Sequence, residues 1–116
     1  MIKQKIMVYN LERNYPRVEE AKILLGSEIL TCRALGGKIL KIIHGYGSTG
    51  VGGALRSGSR TFLNQQLKQQ KIKAIVYGEN FTIFDETTRM MLSACPDLRK
   101  DQDLSRGNQG VTLVLL

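Results

Sequence analysis

The 116-residue chain predicts an α/β domain: a mainly parallel or mixed four-stranded sheet, two core helices and one extra helix. Three observations carry that prediction. Four short apolar runs stand well apart, the stretches between them repeat apolar residues at helical spacing, and Gly, Asn, Asp and Pro mark the joints. Strands that alternate with helices imply βαβ crossovers, the connection that parallel strands require.

The first run, residues 6–11, reads as a strand and is followed by the turn signal Asn14-Tyr15-Pro16. Val18, Ala21, Leu25, Ile29 and Cys32 then recur on one helical face up to Gly36-Gly37, which stops the helix. Residues 39–43, Ile-Leu-Lys-Ile-Ile, are apolar enough for a central, covered strand. A second helix begins near Ala54, with Leu55, Phe62, Leu63 and Leu67 as its inner face. Residues 72–77 form the third strand, and the short segment 81–84 follows it. Asp85 offers an N-cap to a third helix that ends before Pro96. The polar stretch 97–110 mixes Arg99, Lys100 and Arg106 with Asp97, Asp101 and Asp103, the pattern of a solvated loop. The apolar run 111–116 is the last strand.

The most informative stretch is His44-Gly45-Tyr46-Gly47-Ser48-Thr49-Gly50-Val51-Gly52-Gly53-Ala54-Leu55-Arg56. It holds five of the twelve glycines and the only histidine. Glycines crowd a strand-to-helix turn where backbone N–H groups must face outward or pass close to a neighbour. The helix start that follows adds partial positive charge, so Gly45, Gly47, Gly50 and Gly52 are candidate phosphate-binding positions. An imidazole at the mouth of such a site is placed for proton transfer. Arg56, Arg60, Asn64 and Lys68 follow four apart along the helix and share a face, so Arg56, Arg60 and Lys68 join the candidate phosphate-binding set. Residues 45–50 match Gly-x-Gly-x-x-Gly, but the acidic residue a dinucleotide site needs is missing from Gln69-Gln70-Lys71. A phosphate loop of the Gly-Lys-Ser/Thr type is absent, since Val51 follows Gly50.

A net charge of +7 and a pI near 9.7 point to a polyanionic partner. No apolar run is long enough to span a membrane and no signal peptide is evident, so no membrane partner is expected. Cys32 and Cys95 are far apart in apolar helical contexts, as expected of buried reduced thiols in a cytoplasmic protein. One histidine and two isolated cysteines leave a structural zinc site without ligands.

These residues resemble the small MutS-related (Smr) domain family. Its second signature runs from a strand through His-Gly-x-Gly and further glycines to a Leu-Arg pair opening a helix. Here the match is Ile42-Ile43-His44-Gly45-Tyr46-Gly47, Gly50, Gly52 and Leu55-Arg56. Val18-Glu19-Glu20-Ala21 resembles the start of the family's first helix, and Asn108-Gln109-Gly110 the turn before its terminal strand. The resemblance covers most of the chain, read as one domain, 1–116, except residues 78–107, which read as an insertion carrying the extra helix and a loop. It implies a two-layer α/β sandwich similar to the C-terminal domain of translation initiation factor three. It also implies binding of DNA or RNA, including ribosome-associated settings, and in several members nicking or cleavage.

One departure bears on cleavage. The family's first signature, Leu-Asp-Leu-His or Leu-Asp-x-Arg, aligns with Tyr9-Asn10-Leu11-Glu12-Arg13, so Asn10 replaces the acid. An amide cannot act as a general base, whereas Glu12, expected on the same strand face, can. The candidate catalytic pair is therefore His44 and Glu12, with Arg56 stabilising phosphate charge. The sequence leaves a divalent metal requirement and the oligomeric state open. Two alternatives stand beside an endonuclease: a non-catalytic nucleic-acid or ribosome-binding module, and a small-molecule phosphate or nucleotide binder.

Overall fold

The computed structural model describes residues 5–14, 16–46 and 51–116. Strands β1 (Ile6–Asn10), β2 (Ile39–Ile43), β3 (Ala74–Tyr77) and β4 (Val111–Leu115) form one mixed sheet in the order β1-β2-β4-β3. β1 and β2 are parallel, and β4 inserts antiparallel to both β2 and β3. Helix α1 (Val18–Ala34) connects β1 to β2, α2 (Val51–Lys68) connects β2 to β3, and α3 (Glu86–Ala94) lies in the long connection to β4. The mixed four-stranded sheet with three helices agrees with the sequence.

Side-chain alternation splits the interior into two cores. Leu40, Ile42 and Val114 face α1 and α2, where they meet Ala21, Leu25, Ile29, Cys32, Leu55 and Leu63. Ile39, Val111, Leu113 and Leu115 face the other way, onto Phe81, Met91, Leu92, Cys95 and Leu98. The helix read as an addition to a two-layer sandwich thus covers the second face of the central strands. β4 is buried along its whole length, which explains its unbroken apolar run. Cys32 and Cys95 are both buried and unpaired, one in each core.

The terminators follow the sequence. Gly36, at φ 79°, closes α1 in the left-handed conformation that glycine adopts without strain, and the Gly37 N–H reaches back to Cys32 O at 2.8 Å. Asp85 caps α3 by accepting from the Thr88 N–H at 2.8 Å. Boundaries shift in three places. β3 begins at Ala74, α2 begins at Val51, and β1 ends at Asn10, whose side-chain oxygen accepts from the Glu12 N–H (3.0 Å) and turns the chain into a 3-10 segment, Leu11–Asn14. Glu12 therefore follows the strand and does not share its face.

The stretch 97–110 is not wholly solvated. Lys41 lies on the second face of central β2, between Ile39 and Ile43, and is 4% exposed. An ammonium there needs partners, and the loop supplies them: Asp101 Oδ1 at 2.8 Å and Asp103 Oδ2 at 2.5 Å. Burial works against the Lys41 charge, but the two carboxylates outweigh it and raise the amine above its ordinary range. Asp103 also accepts from Asn108 Nδ2 (2.9 Å), and Asn108 Oδ1 accepts from the Gly110 N–H (2.8 Å). The loop is thereby tied to the start of β4. Lys41→Ala leaves two carboxylates without their counter-charge and is expected to cost about 3–5 kcal/mol in urea unfolding. A loss below about 1 kcal/mol would mean that the pair is dispensable.

Candidate functional site

His44 and Gly45 leave the end of β2 and are held by buried polar groups. His44 is fully buried, and both ring nitrogens are engaged. Nδ1 lies 2.6 Å from Gly45 O, which can only accept, so Nδ1 carries the proton. Nε2 lies 2.8 Å from Thr112 Oγ1 and accepts its hydroxyl proton. Thr112 is free to donate there because it accepts from Arg60 Nε at 3.1 Å. Arg60 continues the chain with a two-pronged ion pair to Glu79, Nη1 to Oε2 at 2.8 Å and Nη2 to Oε1 at 2.7 Å. Its guanidinium also lies 4.0 Å from the centre of the Tyr77 ring. An unbroken polar line thus runs Glu79–Arg60–Thr112–His44–Gly45.

This geometry corrects two expectations. His44, expected at the mouth of an open site, is enclosed in the interior with both ring nitrogens bonded. Arg60, expected to bind phosphate beside Arg56, is 9% exposed, turned inward and paired with Glu79, so its guanidinium is not open to a phosphate. The reason is Thr112, a polar residue in an otherwise apolar central strand, whose hydroxyl needs partners on the α2 side. Burial disfavours the imidazolium, the Gly45 carbonyl opposes that effect, and the charges of Arg60 and Arg56 add to it. The His44 pKa is pushed down from 6.5 to about 4. His44 is neutral at pH 7.

The other expected residues fall into three groups. Glu12 and Gly45 come together: Gly45 is at φ 77°, and the Glu12 carboxylate occupies the space where a Cβ on Gly45 would stand. Arg56 lies near His44, in the second turn of α2 because that helix starts earlier than expected, and its Nη1 donates to Gln109 Oε1 at 2.9 Å. Lys68 is in the last turn of α2, roughly 18 Å along the axis from Arg56, and does not reach this end of the sheet. Gly47 and Gly50 lie outside the described residues, and Gly52 is in the first turn of α2.

Thr112 and Glu79 were not expected at the site, and Gly110 was expected only as part of the turn before the last strand. The N–H groups of His44 and Gly45 both donate to Gly110 O, at 3.0 and 3.1 Å, so Gly110 clamps the turn onto β4. Thr112 had a legible signal as the one polar residue in Val-Thr-Leu-Val-Leu. Glu79 had none, because its partner is set by the crossover. Among the described residues no cluster of His, Cys, Asp and Glu could hold a metal ion, and no helix is long and apolar enough to cross a membrane.

A mixed four-stranded sheet with a left-handed glycine just past β2, a buried imidazole beside it and an arginine on the following helix defines the class: an α/β domain whose β2–α2 junction is built on a polar interior. The chain belongs to the Smr domain family, a family of nucleic-acid-binding and endonuclease-type domains, since the Smr domain model matches residues 13–81. The fold is similar to that of the Smr domain of MutS2 from Thermus thermophilus. The two superpose with a TM-score of 0.59 at 22% identity, covering 95% of this chain and 96% of that one. No curated protein matches the chain.

The buried imidazole makes stability pH-dependent. Between pH 6.5 and 4 the unfolded chain binds a proton at His44 that the native state does not, so stability falls as pH drops through this window. The full loss is about 3 kcal/mol. For Glu79 and Asp103 burial raises the carboxyl, but the bonds from Arg60 and Lys41 outweigh it and hold both below their ordinary 4.5 and 3.8. Their contributions fade only at lower pH, which leaves pH 5 to 6.5 to His44. Denaturation across that range should show the slope in the wild type and a flatter profile in His44→Gln.

Proposed function

We propose that this domain binds nucleic acid by its phosphates at the end of the sheet where β2 leads into α2. The observation that carries the reading is Arg56, on α2 beside the turn. Its one hydrogen bond among the described residues is to the neutral amide of Gln109 and it makes no ion pair there; the nearby Glu79 carboxylate already pairs with Arg60. The helix start and the clamped Gly45 backbone lie next to it. The net charge of +7 supports a polyanion over a small phosphate ligand. In this reading His44 does no chemistry: its tautomer-specific bonds hold the Gly45 carbonyl and Thr112, and Arg60 holds Thr112 in place for it.

A second reading, phosphodiester cleavage, has one observation in its favour: the Glu12 carboxylate stands against Gly45, at the edge of the proposed phosphate position. Glu12 would then be the general base. His44 would transfer a proton only after its bond to Thr112 or Gly45 opens.

Binding to duplex DNA should weaken with salt at a log–log slope of roughly −3 to −5, as for contact with about three to five phosphates. Arg56→Ala should reduce that slope by about one. Arg60→Ala should lower stability and leave the slope unchanged, because Glu79 already pairs with its guanidinium. A salt-insensitive complex, or none at low salt, overturns the binding reading. Incubating DNA and RNA with the protein, with and without divalent metal, tests the second. Cleavage lost by about a hundredfold or more in Glu12→Gln would support it.

A further inference from the structure

We infer that Tyr46 is a stacking platform for an unpaired nucleobase and directs the domain toward single-stranded nucleic acid; this rests on the phosphate-binding reading above. The side chain is 59% exposed, although the two residues before it, His44 and Gly45, are buried. Its ring does not hang free. Cδ1 would lie 3.3 Å from a Cβ on Gly110, so the ring rests against Gly110 because that residue has no side chain. The backbone leading to it is fixed by the two bonds to Gly110 O and by the left-handed turn at Gly45. A ring presented from a fixed backbone loses little freedom when a base lies on it.

The second part of the argument is what stands beside the ring. Arg56 is bonded to Gln109, the residue before Gly110. A cation for a phosphate and an aromatic face for a base are thus anchored on two adjacent residues, Gln109 and Gly110. Phe84 is still more exposed, at 86%, but it precedes the acidic cap Asp85 at the head of α3, where a phosphate would be repelled. Bases in a duplex are already stacked on both sides and must be flipped out to reach such a ring, whereas an unpaired base is not.

The test uses short fluorescein-labelled single-stranded DNA, single-stranded RNA and duplex DNA in anisotropy titrations. Tyr46→Ala should weaken binding to single strands by at least about fivefold and leave the duplex nearly unchanged, while Tyr46→Phe keeps wild-type affinity. A single strand carrying 2-aminopurine should lose fluorescence on binding the wild-type protein, an independent reading should Tyr46→Ala fold poorly. Equal single-strand affinity in wild type and Tyr46→Ala overturns the inference, as does equal weakening on duplex. Loss in Tyr46→Phe as well would assign the effect to the hydroxyl and reject stacking. If the wild type binds no nucleic acid at all, the proposed function fails and this inference with it.

Discussion

Everything at the working end of this fold depends on satisfying polar groups buried in the centre of the sheet. His44, just past the end of β2, and Thr112, within β4, are both fully buried beside Ile42 and Val114, closed off from bulk solvent. An unpaired polar atom in such a place costs about 1–3 kcal/mol, so each group dictates the next. Thr112 cannot donate to His44 and satisfy itself; it needs Arg60. Arg60 cannot be buried uncompensated; it needs Glu79, brought by the crossover after β3. On the far face Lys41 draws in Asp101 and Asp103, and Asn108 passes that constraint to Gly110. Both lines meet at one short stretch of backbone, His44-Gly45, and hold it from both faces of the sheet.

The same bonds sort the charges. Two cations, Lys41 and Arg60, face three acids inside the protein: Asp101, Asp103 and Glu79. The outward-facing balance is therefore more positive than the formal +7 suggests. Arg56 and Arg60, one turn apart on α2, have opposite fates. One meets a neutral amide at the surface, and the other is locked in an ion pair. Spacing along a helix places both on one side but does not say which partner each will find.

Much of the fold was legible because it follows local rules. The apolar runs, the glycines after α1, the Asp85 cap and the stop at Pro96 are all decided within a few residues of where they act. The neighbourhood of His44, Gly45 and Arg56 was legible for the same reason. What the sequence hid was non-local. Thr112 is 68 positions from His44, Asp101 is 60 from Lys41, and no periodicity reports such pairs. That is why an imidazole beside glycines reads as exposed when it is in fact enclosed. Lys41 within Ile-Leu-Lys-Ile-Ile and Thr112 within its apolar strand were the two visible irregularities. Each marked a partner waiting elsewhere in the chain.

The position of β4 carries a consequence for how the molecule is made. It is the fourth strand in chain order but lies between the second and third in the sheet. Until it arrives, β2 and β3 have no common neighbour, and Arg60 lacks the hydroxyl it orients. The β1–α1–β2 unit can pair early from nearby sequence, whereas the rest waits for contacts of long separation, the slow class in folding. A nascent chain lacking β4 would therefore expose two strand edges and an unclamped glycine turn. Assembly of the sheet and assembly of the site are one event, completed by the same strand.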